Sequence, residues 1–279
     1  MLSVISGGLL ENSAKKKLEQ LVQENTTSDG TILDLEDKEI GAEELELLAE
    51  FETLSGIEKL FISNNQFGDT EIEILSRIKV FEKLKYLYLN HNHIGDEGAR
   101  ALADSKIVKN LTCLMLETCN IGPEGARALA ESSHLENLEI LFLDSNPVRA
   151  EGVEALARST KLPKLTALHL DSTQMGDAGA KALAHSELLS RLDKLYLCSN
   201  KITNEGIIAL TGSPHSRNLK VLSVWRNEIR DDGGKAIVES PNLSQLERLY
   251  MSLNLIEKPA RKIIRQSELA RRLKTLVMD

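Results

Sequence analysis

Ten leucines recur at a single spacing in this chain. Leu33, Leu60, Leu87, Leu114, Leu141, Leu168, Leu195, Leu222, Leu249 and Leu276 stand 27 residues apart, with no insertion or deletion from first to last. A unit of that length is one supersecondary element whose apolar face cannot be buried alone, so neighbouring units must stack and share a core. Two residues after each marker comes a second apolar residue, as Leu89 follows Leu87, and from Leu60 onward three before it another, as in Leu84. Each unit reads LxxLxLxxN.

Inside a unit the apolar period changes. Around Leu87 and Leu89 it is two, alternating with Tyr86, Tyr88 and Asn90, which predicts a strand with one buried face and one facing out from the inner curve of a solenoid. Gly98, Ala99, Leu102 and Ala103 then follow at helical spacing. The phrase returns as Gly125, Ala126, Leu129, Ala130 and as Gly179, Ala180, Leu183, Ala184. Small residues there let a helix lie close to the sheet.

Two polar columns keep the same step. Five residues after the marker stand Asn65, Asn92, Asn146, Asn200, Asn227 and Asn254, with Lys38, Cys119 and Thr173 as exceptions. A buried turn must satisfy its backbone groups, and a stacked amide column can do this for successive turns. Ser105, Ser132, Ser159, Ser186, Ser213, Ser240 and Ser267 fall where each helix should end, placed to bond free carbonyls or start the next turn.

With these columns the chain resembles the leucine-rich-repeat family, and GDEGARALA at residues 95–103 resembles its ribonuclease-inhibitor-like subfamily, although 27 residues is a little short for that subfamily. The resemblance covers nearly the whole chain. It implies an α/β solenoid, a right-handed horseshoe with a parallel sheet on the concave face and helices on the convex face, used mainly for protein binding. Residues 1–30 read as an N-terminal helical cap and 31–279 as the repeat domain, ten registers with the last truncated. Fold alone does not settle function.

Charge narrows the partners. A formal charge of -8 and a pI near 5.4 argue against a general nucleic-acid binder, which needs a cationic surface, and they disfavour an acidic partner. No stretch approaches the roughly 20 apolar residues needed to span a bilayer, so no membrane partner is expected. The opening MLSVISGGLL has no basic stretch before its apolar run. Cys113, Cys119 and Cys198 form neither a disulfide framework nor a metal-type pair. The expectation is a soluble cytoplasmic protein in a reducing compartment; the alternative is a bacterial effector exported by a specialised system to act on a host protein.

Both ends depart from the repeat. Residues 11–25 place Leu18, Leu21 and Val22 on one side of a helix, with Ser13 as its expected N-cap. The final LVMD forms a tenth strand with an open edge, and open edges invite pairing. Residues 11–60 are rich in Asp and Glu, whereas Arg261, Lys262, Arg265, Arg271 and Arg272 crowd the last helix. Two readings stand: a pair of solvated caps, which is the expectation, and head-to-tail self-association through the exposed C-terminal strand.

Function must be read from outward-facing strand positions. Directly after the markers come Asp34, Phe61, Tyr88, Met115, Phe142, His169, Tyr196, Ser223, Tyr250 and Val277, a column that holds half of the aromatic residues. Exposed aromatics mark binding surfaces; the alternative is that stacked aromatics reinforce each other along the sheet and that the carboxylates beside them only keep the concave face soluble. Two residues further on, Glu117, Asp144 and Asp171 form a carboxylate strip, continued by Cys198 and Trp225. Strands about 4.8 Å apart make this strip a ladder of like charges, which a cationic partner relieves while the aromatics hold an arginine or lysine. The expected ligand is a basic protein or peptide, bound by Phe61, Tyr88, Glu117, Phe142, Asp144, His169, Asp171, Tyr196, Trp225 and Tyr250.

Catalysis finds no comparable support. His91 and His93 share a loop three registers from His169, too far for a common ion. Cys198 has no adjacent base to make a thiolate, and no phosphate loop or nucleophile elbow occurs. Neither cofactor nor metal is expected. GTPase activation occurs in one branch of the ribonuclease-inhibitor-like subfamily, but the acidic tail common in that branch is missing here.

Overall fold

The computed structural model describes the backbone of residues 2–279 and the side chains from residue 13 onward, so the side chains of the opening MLSVISGGLL lie outside the described residues. Ten three-residue strands form one parallel sheet in chain order: β1 (Ile32–Asp34), β2 (Lys59–Phe61), β3 (Tyr86–Tyr88), β4 (Cys113–Met115), β5 (Ile140–Phe142), β6 (Ala167–His169), β7 (Lys194–Tyr196), β8 (Val221–Ser223), β9 (Arg248–Tyr250) and β10 (Thr275–Val277). Every marker leucine pairs with the next marker, from Leu33 with Leu60 to Leu249 with Leu276. From Leu33 to Leu249 the markers are fully buried. Most of the apolar helix positions are buried as well; Ala99, Leu102 and Ala103 of the helix Asp96–Ala103 and Ala126, Leu129 and Ala130 of the helix Pro123–Glu131 face the sheet.

The amide column closes the turns across registers. Asn146 is fully buried; its Oδ1 accepts the N–H groups of Cys119 and Ile121 at 3.0 and 2.9 Å, and its Nδ2 donates to Leu116 O and Leu143 O at 2.6 and 3.1 Å. Asn65, Asn92, Asn200 and Asn227 repeat the pattern, always accepting from the preceding register. At Cys119 the amide is missing: the thiol donates to Leu89 O at 3.2 Å, and its sulfur, a weaker acceptor than an amide oxygen, takes the Asn92 N–H. Cys119→Asn is therefore expected to stabilise the chain by about 1 kcal/mol, the net value of a typical buried hydrogen bond, measured by chemical denaturation. No gain would mean that the thiol already serves the turn as well as an amide.

The residue before each position of the amide column is left-handed, including those before the exceptions Lys38, Cys119 and Thr173. Asp37, Asn64, His91, Thr118, Ser145, Ser172, Ser199, Arg226 and Leu253 all have φ between 53° and 58°, and none is glycine. Such a backbone is disfavoured for most side chains, so the hydrogen bonds of the turn must hold it. The serine column ends the helices as expected. Ser105, Ser132, Ser213 and Ser240 donate at 2.5 Å to carbonyls of the preceding register, and each also accepts an N–H two residues on.

A third column escaped the sequence reading. Asp69 Oδ1 accepts the N–H groups of Gly95 and Gly98 at the start of the next helix, at 2.9 and 2.6 Å, and Asp96 serves Gly122 and Gly125 likewise. Asp177 and Asn204 do the same for the helices beginning near Asn204 and Asp231. A carboxylate at a helix N-terminus satisfies orphan N–H groups and suits the helix dipole. The glycines make room for it: a Cβ on Gly125 would lie 2.7 Å from Asp96 Oδ1 and 2.8 Å from Ile121 Cγ2. Close approach of successive helices, more than of helix to sheet, selects the small residue.

The ends differ from expectation. Ser13 caps nothing; it lies inside α1 (Leu2–Asn25), which buries Leu18 and Val22 against the first register. Thr26 bridges Leu33 in antiparallel fashion, and Thr27 bonds Ile32, so the N-terminal sheet edge is covered. The basic C-terminal residues fall on two helices, Lys258–Gln266 and Glu268–Arg272. Arg261 and Arg265 donate to the carbonyls of Asp279 and Met278, and Arg272 to those of Ser244 and Leu243. Three of the five basic side chains thus fasten their own chain's backbone.

Candidate concave binding face

On the sheet face opposite the helices, the residues after each marker stack as the strands bring them into register. Phe142, His169 and Tyr196 form a continuous pile, with ring centroids 3.8 and 4.0 Å apart and interplanar angles of 28° and 17°. Phe61 and Tyr88 form a separate pair at 4.1 Å. These distances fall below the ~4.8 Å strand spacing because the inner side of a curved sheet is compressed. Met115 separates the pair from the pile, and Ser223 separates the pile from Tyr250. The rings cover one another and are only partly exposed, where the sequence suggested an open stripe.

The carboxylate strip lies beside the pile. Asp144 Oδ1 accepts the Asp171 N–H, and Asp171 Oδ1 accepts the Cys198 N–H, both at 2.6 Å. In the preceding registers Asn90 Oδ1 accepts the Glu117 N–H at 2.9 Å. Each side chain therefore caps the strand end next to it, a role invisible in the sequence. The expected repulsion is present but secondary: burial is the main force pushing Asp144 up to about 7, and the charges of Asp171 and Glu117 add to it against the stabilising Asp171 N–H. Burial also raises Asp171, opposed by the Cys198 N–H.

His169 lies between two rings, with Nδ1 3.7 Å from Asp144 Oδ2 and both side chains 17% exposed. Burial, with Lys194 adding, lowers it to about 4, so the ring is neutral at physiological pH and stacks as an uncharged plane. Trp225 is 38% exposed, more than the other aromatics of the face. Of the ten predicted residues, Phe142, Asp144, His169, Asp171 and Tyr196 come together as one cluster. Phe61, Tyr88 and Glu117 lie N-terminal to it, while Trp225 and Tyr250 lie beyond Ser223. The sequence reading overlooked Lys194 and Arg248, which precede the markers of β7 and β9 and are exposed on the same face. Their signal was available, since Tyr86 holds the equivalent position in β3.

Chemistry that would make or break bonds is sparse on this face. Burial pushes the Cys198 thiol up to about 11, and its Sγ lies 3.0 Å from Ser223 Oγ, so it is not a ready thiolate. Among the described residues, no group of three or more His, Cys, Asp or Glu side chains could hold a metal ion. Ser190 Oγ and His215 Nδ1 meet at 2.7 Å on the convex side, where the contact joins the short helix Glu187–Arg191 to the turn at Pro214–Asn218. No helix among the described residues is long and apolar enough to cross a membrane.

No curated protein matches the chain. The family model described as Leucine Rich repeat matches residues 82–103, 109–130, 134–157, 161–184 and 215–238, each segment running from a strand approach into the following helix. With those five segments in one register and a sheet whose turns are closed by a shared amide column, the chain folds as a leucine-rich-repeat solenoid.

Proposed function

We propose that the chain is a non-catalytic interaction module that holds a basic protein or peptide on its concave face. Leucine-rich repeats generally mediate protein–protein interaction. One observation carries the finer reading: two largely buried carboxylates, Asp144 and Asp171, lie beside a continuous pile of flat rings. Burying a carboxylate without a cation is unfavourable, and an incoming guanidinium removes that penalty while its plane rests on the neighbouring ring. The cluster is thus worth more with a cationic partner than without one.

A double variant, Asp144→Asn with Asp171→Asn, tests this with a short arginine-rich peptide as probe. Wild type is expected to bind in a salt-dependent manner, and the variant at least tenfold more weakly by calorimetry. Equal affinity of the two proteins would remove the basic-partner reading. The free chain should respond in the opposite sense. A carboxyl raised in the folded state contributes stability below its unfolded value, lost as pH rises through about 7. Asp144→Asn is therefore expected to raise the melting temperature at pH 8 and leave it nearly unchanged near pH 4, with Asn still accepting the Asp171 N–H. A residue that weakens the free fold and strengthens binding is selected for the complex.

A further inference from the structure

The ring column on the concave face has one gap. It runs Phe142, His169, Tyr196, then Ser223, then Tyr250, and the strand pairings put these residues directly opposite one another. Where rings occupy consecutive registers they lie 3.8 to 4.0 Å apart. Tyr196 and Tyr250 are two registers apart, roughly 8 to 10 Å, which is the thickness of one further ring stacked on both. At the base stand Ser223 and Cys198, small, buried and bonded to each other at 3.0 Å. Trp225, two residues after Ser223 on the same strand face, stands beside the opening and is 38% exposed.

The surroundings define the occupant. Lys194 and Arg248 flank the gap on the side before the markers; both are exposed and, among the described residues, neither is ion-paired. Their field reaches the gap: burial raises the Tyr196 phenol, Tyr250 across the gap adds to this, Arg248 opposes it, and Asp171, one register back, adds to it less than Arg248 opposes. Two cations disfavour a guanidinium here and favour an anion. We propose that the space between Tyr196 and Tyr250 is a one-ring slot that takes an aromatic side chain of the bound partner, with a carboxylate next to that ring meeting Lys194 and Arg248. The slot rests on the concave face being the binding surface, and it gives that surface a direction. Basic residues of the partner lie over Asp144 and Asp171, and an aromatic residue with an acidic neighbour follows toward the C-terminal registers.

The chain provides its own reporter, because Trp225 is its single tryptophan. The full chain is titrated with N-acetylphenylalanine, with its carboxamide and with N-acetylleucine, and Trp225 emission is followed. The aromatic acid is expected to change the emission saturably at millimolar concentration, the carboxamide to bind several-fold more weakly, and the leucine acid to give no response. Ser223→Phe places the chain's own ring in the slot and is expected to abolish the response. Should Ser223→Phe fail to fold, Lys194→Gln with Arg248→Gln serves instead, and is expected to weaken the acid to the level of the carboxamide. No saturable response to the aromatic acid overturns the slot, as does an undiminished response in folded Ser223→Phe or in the double glutamine variant. The arginine-rich peptide, titrated into Ser223→Phe and into the Asp144→Asn, Asp171→Asn variant, keeps the two readings apart, because each substitution removes only its own probe.

Discussion

Asn146→Ala is expected to lower the unfolding free energy by about 4 kcal/mol. The side chain is fully buried, so truncation leaves the N–H groups of Cys119 and Ile121 and the carbonyls of Leu116 and Leu143 without the amide, in a turn that solvent does not reach. Each unsatisfied buried group costs about 1–3 kcal/mol, and relaxation of the turn recovers part of the sum. Hydrogen exchange supplies the local test: the amides of Cys119 and Ile121, one register before the substitution, should lose protection first. A loss below about 1 kcal/mol with both amides still protected would show that the amide column is not what closes the turns.

The second large effect separates two adjacent residues of β7. Leu195 is fully buried, and Leu195→Ala should cost about 2–5 kcal/mol through lost transfer energy and the cavity left behind. Tyr196 points to the opposite face, where its main ring contact is His169 at 4.0 Å, so Tyr196→Ala should cost only about 1 kcal/mol of stability. On partner binding the order reverses. Tyr196→Ala combined with Trp225→Ala should leave a folded chain whose affinity for a captured partner falls by about 2 kcal/mol or more, the scale of an interface hot spot. Affinity capture with wild type and the double variant, each first checked for native size, reads this directly. The same partners retained by both proteins would place binding elsewhere.

Much of this architecture is legible in the residues. The unbroken step from Leu33 to Leu276 determines the register, and that register assigns Phe142, His169 and Tyr196 to one column before any coordinate is known. The amide and serine columns are legible for the same reason, since a buried turn and a helix end have few chemical solutions. What the residues withhold is depth. Nothing in the sequence separates Asp144, held by a backbone N–H and raised by burial, from an ordinary surface carboxylate such as Glu36. Nor does it reveal that Asp69 and Asp96 cap helices of the next unit, because that contact spans 26 to 29 residues. Ser13 misled for a related reason: a serine ahead of an apolar run is a cap only if the helix begins there, and α1 is already under way.

The direction of the amide bonds bears on how the chain is made. Lys38 and Ile40 donate to Asn65, Asn65 and Phe67 to Asn92, and Asn200 and Ile202 to Asn227, so the acceptor lies one register later in the chain each time. On a ribosome, a turn that has already emerged must wait for the next 27 residues before its donors are satisfied. At synthesis rates of about 5–20 residues per second, that wait is about 1 to 5 s per register, long compared with strand and helix formation. The growing end of the nascent chain therefore always carries one unfinished turn, and that turn is what a chaperone near the exit tunnel would meet.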